Sequence, residues 1–397
     1  MKNVSLGSLL CFGMSAALFV GCSPAQRDQR DLVPPSARGY AVPKPAGAPY
    51  GFAYVTYAGY HHSLLAFSIE SNGALKWVGS YGTGQGPIGV AIDPTGNYVY
   101  VANNGSANLS AYSVNTTTGK LTKVTGSPFA MPNKSIYPEY VAIDPTGGYL
   151  YVTARGIFAY AIDAASGALT LVPGSPFGSA EYLGVAVNPL GNYVYAVSPV
   201  GSGSNGQYGQ LWSFAINANT GALTPSEWGS TSGGGSIGVA VDPTGTFALV
   251  TNSESNTVTS FAVAPNHSYV LENDIVAAGT YPSGVAVDPA AKFVYAGNSE
   301  SENVSAYSIW PSPSTPLGNV SGSPFGTGGY FPIGMAIDPR GKFLYLSAEG
   351  GIIAYDIQGT SGALTMIPGS PFGPPDTPLE AIATCRVVGS SCVPPPF

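Results

Sequence analysis

The chain has 397 residues, carries a formal net charge of −7, and only 9% of its residues are charged. Its 53 glycines, 35 prolines and 25 tyrosines are typical of a turn-rich protein built from strands. Since the repeated part of the sequence holds no cluster of Lys and Arg to grip a phosphate backbone, we expect no nucleic-acid partner.

The N-terminal segment is predicted to direct export. Lys2 precedes an apolar run from Leu9 to Val20, which is followed by Gly21-Cys22-Ser23. This pattern resembles a bacterial lipoprotein signal, which implies a signal peptide over residues 1–21, lipidation of Cys22 and anchoring to a membrane of the cell envelope. An ordinary signal peptide cleaved nearby is the alternative. Residues 22–47 are Pro-rich and predicted to form a flexible tether.

A block around Asp-Pro-Thr-Gly returns about every fifty residues. Asp at the first position of a type I turn accepts local N–H bonds, Pro presets the next φ, and Gly closes the turn. We therefore interpret the recurring acids as hairpin formers rather than metal ligands. The copies begin at Gly89, Tyr140, Gly184, Gly238, Gly284 and Gly334.

Each block is followed by three further predicted strands, so one repeat makes a four-stranded antiparallel blade. Residues 50–86 supply second, third and fourth strands without a first, and Pro378 to Thr384 supplies a first strand without a second. We predict an all-β, seven-bladed β-propeller over residues 48–387, closed by a C-terminal strand that completes the N-terminal blade, with a tail over 388–397.

Four cysteines occur, and two of them fall in or beside the signal segment. The remaining pair, Cys385 and Cys392, favours a short disulfide loop in an exported protein, with two free thiols as the alternative.

With the blade pattern in place, the chain resembles the seven-bladed lactonase-type propellers, which include 6-phosphogluconolactonase-like proteins, and the related Tyr-Val-Thr-Asn repeats. Tyr100-Val-Ala-Asn103 and Leu249-Val-Thr-Asn252 carry the second likeness. The lactonase branch usually has Pro-x-His at the start of innermost strands, whereas this chain has no histidine there. The resemblance therefore implies the fold but transfers no catalytic residue.

Propeller ligands are expected over the central channel, on the face formed by loops that enter first strands and loops that join second to third strands. Aromatic, amide and acidic side chains of these loops could stack on and hydrogen-bond a sugar. The ligand-binding candidates are Tyr137, Tyr140, Tyr182, Asn103, Asn252, Asn298 and Glu380.

A lactone hydrolase needs a base to activate water and a cation or donor for the developing oxyanion. Glu139 or Glu181 could supply the base, with Arg155 and His61 as cation and donor. The alternative is that all four are solvated rim residues. His61 and His62 point to opposite faces of a strand and His267 lies on the other rim, so we expect no metal site.

Three functions follow as hypotheses. The first is a lipid-anchored, extracytoplasmic, monomeric propeller without a cofactor that binds a small, glycan-like ligand or a protein partner. The second is a lactonase acting on a sugar lactone, and the third is a purely structural scaffold of the cell envelope.

Overall fold

The computed structural model describes residues 49–59, 62–199, 208–231, 233–263, 270–310, 317–374, 378–388 and 391–395. The predicted signal segment, tether and Cys22 lie outside these residues, so lipid anchoring stays a prediction. The described residues contain no helix that is long and apolar enough to cross a membrane.

The described residues form seven small antiparallel sheets, which confirms the predicted all-β, seven-bladed propeller. Blade 1 contains β1 (Gly51–Tyr57), β2 (Ser63–Ile69) and β3 (Leu75–Gly82). Blade 2 contains β4 (Pro87–Ile92), β5 (Tyr98–Asn103), β6 (Asn108–Val114), β7 (Leu121–Lys123) and β8 (Phe129–Ala130). Blade 3 contains β9 (Val141–Ile143), β10 (Tyr149–Ile162), β11 (Leu169–Leu171) and β12 (Phe177–Glu181).

The remaining blades repeat the pattern. Blade 4 contains β13 (Val185–Val187), β14 (Tyr193–Ser198), β15 (Gln210–Ile216) and β16 (Leu223–Ser230). Blade 5 contains β17 (Ser236–Val241), β18 (Phe247–Asn252), β19 (Thr257–Val263) and β20 (Val270–Ala277). Blade 6 contains β21 (Pro282–Val287), β22 (Phe293–Asn298), β23 (Asn303–Ile309), β24 (Leu317–Asn319) and β25 (Phe325–Gly326). Blade 7 contains β26 (Pro332–Ile337), β27 (Phe343–Ala348), β28 (Gly351–Ile357) and β29 (Leu364–Met366).

The C-terminal strand closes the ring as predicted. β30 (Leu379–Val388) pairs antiparallel with β1, with Gly51 opposite Arg386 and Val55 opposite Ile382. The first and last parts of the described chain thus share blade 1, and β1 is paired along both of its edges.

The tail predicted over 388–397 was partly wrong, because the chain turns back into a fifth strand of blade 1. β31 (Ser391–Val393) pairs with β30, and a disulfide joins Cys385 to Cys392, whose Cα atoms lie 5.3 Å apart. A Cβ atom at Gly96 would overlap the Cys392 carbonyl, so this hairpin lies directly against the first turn of blade 2.

The aspartates of the repeat form the hairpins between first and second strands. In blade 2, Asp93 Oδ1 accepts from the Tyr98 N–H at 2.6 Å, and the Gly96 N–H donates to the Asp93 carbonyl at 2.8 Å. Gly96 has φ +70°, the left-handed region that favours glycine. Asp93 is 4% exposed, so its carboxylate is used within the turn.

Tyrosines of second strands tie neighbouring blades together. In five blades the hydroxyl of one buried tyrosine donates to the carbonyl of a glycine in the next blade, in a Gly-Ala-Leu turn or in blade 2's Gly-Lys-Leu turn. The pairs are Tyr54 with Gly119 (3.2 Å), Tyr100 with Gly167 (3.1 Å), Tyr151 with Gly221 (3.3 Å), Tyr295 with Gly362 (2.9 Å) and Tyr345 with Gly73 (2.9 Å).

Blade 3 has a short turn between its second and third strands. β10 runs over 14 residues, yet the Ile162 N–H donates to the Gly148 carbonyl at 2.9 Å. The segment must therefore reverse near Arg155 and Gly156, and Gly156 has φ +97°. Arg155 consequently lies at a hairpin tip.

Candidate active site

The innermost strands of neighbouring blades approach each other backbone to backbone. A Cβ at Gly238 would lie 2.5 Å from the Ser283 carbonyl oxygen, and one at Gly334 would lie 2.5 Å from the Glu380 carbonyl oxygen. We call the seven equivalent positions the inner belt: Gly89, Tyr140, Gly184, Gly238, Gly284, Gly334 and Glu380. These are the positions at which the lactonase branch was expected to carry histidine, and the five glycines leave no room for a side chain there.

Two cavities lie along the channel. The lower one, of about 280 Å³, is lined by apolar side chains such as Ile143, Met335 and Ile382 and is bordered by Pro394 and Pro395. It offers no carboxylate, imidazole or amine for acid–base chemistry. The upper one, of about 160 Å³, is lined by belt residues that include Tyr140. Although smaller, the upper cavity is the one that adjoins titratable groups.

Glu139 stands beside Tyr140 at the entrance to β9. Its Oε1 accepts a hydrogen bond from Nδ2 of Asn104 at 2.8 Å, and Asn104 belongs to the preceding blade. Burial raises the pKa of Glu139 above its ordinary 4.5, the Asn104 hydrogen bond opposes this, and the nearby carboxylates of Glu181 and Glu380 raise it further. Such a carboxylate is a stronger base than a solvated one.

Glu380 and Tyr140 flank Gly89 in the belt. Burial raises the pKa of Glu380. Burial, together with the carboxylates of Glu380 and Glu139 and the phenol of Tyr281, raises the pKa of Tyr140 to about 12. The Tyr140 hydroxyl therefore keeps its proton at neutral pH and can donate a hydrogen bond. The structure thus brings Glu139, Tyr140 and Glu380 together at the channel mouth.

The other proposed catalytic groups are arranged less favourably. Arg155 and Glu181 are register partners between β10 and β12, and both are exposed. Arg155 forms no ion pair with any described residue. The ion pair among the described residues joins Nε of Arg340 to a carboxylate oxygen of Asp338 at 2.6 Å. His61 lies outside the described residues. Nδ1 of His62 accepts a hydrogen bond from the Gly86 N–H at 3.3 Å, which indicates a role in the loop.

Three predicted ligand-binding amides are structural instead. Asn103, Asn252 and Asn298 are each 0% exposed at the end of a second strand. Their Nδ2 groups donate within the blade, and those of Asn103 reach Asn108 at 2.7 Å and Ser110 at 2.9 Å. The expectation that they contact a ligand was wrong, because each is the last residue of its second strand and its side chain turns into the blade.

Tyr182 is also unavailable to a ligand. It is 1% exposed and packs edge-on against Trp212 and Phe214, with ring centroids 6.4 Å and 5.8 Å apart. In contrast, Tyr137 is 55% exposed in the loop that leads to β9. Tyr281 and Phe331 are 40% and 41% exposed in the equivalent loops of blades 6 and 7. These rings surround the channel mouth.

Asn104 was not among the ligand-binding or catalytic candidates named from the sequence. The signal that identifies it, a hydrogen bond between blades to Glu139, exists only in three dimensions. In the part of the chain that the structure describes, no group of three or more His, Cys, Asp and Glu side chains could hold a metal ion.

Comparisons with known proteins agree with the fold. A curated 6-phosphogluconolactonase from Formosa agariphila is 45% identical over 64 residues, which is 16% of this chain and 18% of that protein. The match thus spans far less than two thirds of the relative. A Bacteroides fragilis crystal structure provisionally named a 6-phosphogluconolactonase is 19% identical with a TM-score of 0.68, covering 86% of this chain and 99% of that one. The periplasmic gluconolactonase PpgL from Pseudomonas aeruginosa is 15% identical with a TM-score of 0.66, covering 85% and 99%.

The family described as lactonase, 7-bladed beta-propeller matches residues 48–136, 177–273 and 227–322. Together these matches cover residues 48–136 and 177–322, which is more than half of the 397 residues. The chain belongs to the seven-bladed lactonase β-propeller family.

Proposed function

We propose that the chain hydrolyses a sugar lactone at the upper mouth of its channel, with Glu139 as the general base. The observation that carries this proposal is the half-buried Glu139 carboxylate, oriented by Asn104 and surrounded by further carboxylates. Membership of the lactonase family and the names of the similar proteins support it. The second hypothesis from the sequence is therefore preferred to the first.

The groups at the mouth suffice for ester hydrolysis. Glu139 takes a proton from a water molecule as the water oxygen bonds to the lactone carbonyl carbon. The Tyr140 hydroxyl, which stays protonated, donates a hydrogen bond to the carbonyl oxygen as negative charge develops on it. When the ring C–O bond breaks, the proton held by Glu139 passes to the leaving ring oxygen, and the product is an open-chain hydroxy acid.

The test is lactonase activity of the purified wild-type protein and of Glu139→Gln, with glucono-1,5-lactone as substrate. We expect kcat/KM to fall by about 10² to 10⁴ in the variant, because general-base catalysis is lost. Since the carboxylate must be ionised to act as a base, wild-type activity should decline as the pH falls through the raised pKa of Glu139.

Glu300→Gln is the matched control, because Glu300 is an exposed rim carboxylate in the turn after β22. It should retain wild-type kcat/KM. Wild-type protein that hydrolyses lactone no faster than buffer does, or a Glu139→Gln variant as active as wild type, would contradict the proposal.

Ligand binding without chemistry is the second candidate. The exposed rings of Tyr137, Tyr281 and Phe331 favour it, since aromatic faces stack on the apolar faces of sugars. An inactive wild-type protein that binds glucose in calorimetry would support this function over hydrolysis.

A further inference from the structure

Charge is unevenly distributed between the two faces of the propeller. The described glutamates of the upper-face loops are Glu139, Glu181, Glu254, Glu300, Glu302, Glu349 and Glu380, whereas the described cations of those loops are Lys134 and Arg155. Of the other described lysines and arginines, Arg386 lies near the lower end of β30, and the rest lie in lower-face turns or on outer strands: Lys76, Lys120, Lys123, Lys292, Arg340 and Lys342. The channel mouth is therefore acidic.

No described cation offsets the charge at the centre of the mouth. The pKa of Glu139 is shifted by burial, by Asn104 and by two further carboxylates. The pKa of Glu380 is raised by burial alone. The ion pair of the described residues, between Arg340 and Asp338, lies in a turn of the lower face. Proteins that recognise phosphate esters present Arg or Lys forks or helix N-termini. The two described cations of the upper-face loops, Lys134 and Arg155, are exposed, and neither is among the groups that shift the pKa of Glu139 or Glu380.

The same mouth suits an uncharged sugar. Tyr281 and Phe331 present exposed ring faces in adjacent blades, and carboxylates accept hydrogen bonds from sugar hydroxyls. A phosphate dianion held about 5 Å from a carboxylate at an effective dielectric of 20 would meet a repulsion of several kcal/mol. Aromatic surface and charge thus favour a neutral sugar lactone over a phosphorylated one.

We propose that the site takes a neutral, unphosphorylated sugar lactone, and that Glu139 and Glu380 exclude the phosphorylated counterpart. The substrate class rests on the proposed lactonase function, but the exclusion of phosphate can be measured separately from hydrolysis.

The experiment compares kcat/KM for glucono-1,5-lactone and 6-phosphogluconolactone at near-neutral pH and at low and high salt. The neutral lactone should be preferred by about tenfold or more at low salt, and the preference should shrink as salt screens the repulsion. Equal rates, or a preference for the phosphorylated lactone, would overturn the inference.

Variants locate the source of the selectivity. Glu380→Gln removes a charge with little change of shape and should reduce the preference for the neutral lactone by about fivefold. Because Glu380 also acts on Glu139, the readout is the ratio of the two kcat/KM values, which a uniform loss of activity does not move. Glu254→Gln, an exposed carboxylate in the turn after β18, is the matched control and should leave the ratio unchanged. A ratio that is the same in Glu380→Gln as in wild type would overturn the role given to Glu380.

Calorimetry with glucose and glucose 6-phosphate separates the two proposals. If neither lactone is hydrolysed but glucose binds and glucose 6-phosphate does not, the proposed lactonase function fails while the charge selectivity stands. If glucose 6-phosphate binds as tightly as glucose, or if neither sugar binds an inactive protein, the inference is overturned.

Discussion

At the inner belt, five glycines allow the innermost strands to meet through their backbones. Thr251 shows how closely two such strands approach each other. Its Oγ1 donates to the Ser283 carbonyl at 2.8 Å and accepts from the Gly238 N–H at 3.0 Å. A histidine at position 238 would have to displace this backbone. The tight approach of the innermost strands therefore leaves no room for a histidine at these positions, and the proposed base, Glu139, lies at the channel mouth instead.

Gly238→Ala tests this account. The added Cβ would lie 2.5 Å from the Ser283 carbonyl and 2.8 Å from Thr251 Oγ1, so the strands must separate. We expect the free energy of unfolding to fall by about 1–3 kcal/mol in chemical denaturation, the usual cost of overpacking. Gly82→Ala is the control, because a Cβ at Gly82 meets nothing within 4 Å and should have little effect. Equal stability of the two variants would show that the belt is not closely packed.

The candidate site was only partly predictable from the sequence. The sequence correctly predicted that Glu139, Tyr140 and Glu380 lie on one face, because the repeat shows where each innermost strand begins. Asn103 and Tyr182 were misplaced, since a position at the end of a strand does not by itself decide whether a side chain faces solvent or the blade. The hydrogen bond from Asn104 to Glu139 joins two adjacent blades, and no spacing in the sequence predicts it.

At the scale of the strand, the Tyr-x-Tyr pattern has two functions. Its rings pack in the core, and its hydroxyls reach a turn of the neighbouring blade, as Tyr98 does with the Ala165 carbonyl at 2.8 Å and Tyr100 with the Gly167 carbonyl at 3.1 Å. Tyr100 is 0% exposed, and burial together with nearby negative charge raises its pKa, so the phenol stays protonated and donates. Cohesion between blades thus depends on buried hydroxyls as well as on apolar contact.

Tyr100→Phe isolates the hydroxyl, because the ring and its packing remain. The Gly167 carbonyl loses its donor in a buried place, so we expect a loss of about 1–2 kcal/mol in the free energy of unfolding. Tyr137→Phe, at a ring that is 55% exposed, should change stability by less than about 0.5 kcal/mol. Denaturant titration of both variants gives the comparison, and a Tyr100→Phe protein as stable as wild type would mean that the bond contributes nothing.

At the scale of the whole molecule, the order of strands along the chain already required a composite blade. The N-terminal repeat has no first strand, and the C-terminal first strand is not followed by the rest of a repeat. The sequence did not indicate that the chain would return as β31 after β30. Cys392 of that strand lies against Gly96 of another blade, a contact between residues far apart in sequence.

Ring closure through β30 leads to the last prediction. A chain ending at residue 378 would leave β1 without its inner partner and would expose Phe52 and Tyr54, both 0% exposed in the closed ring. An open, apolar sheet edge favours association, so we expect this truncation to aggregate in size-exclusion chromatography and to lose its cooperative thermal transition. A chain ending at residue 390 with Cys385→Ser is the control, because it loses β31 and the disulfide but keeps β30 paired with β1. It should elute as the full-length chain does and lose about 2 kcal/mol of stability, the typical contribution of a short disulfide loop. If the chain ending at 378 were as soluble and cooperative as this control, the C-terminal strand would not be what closes the propeller.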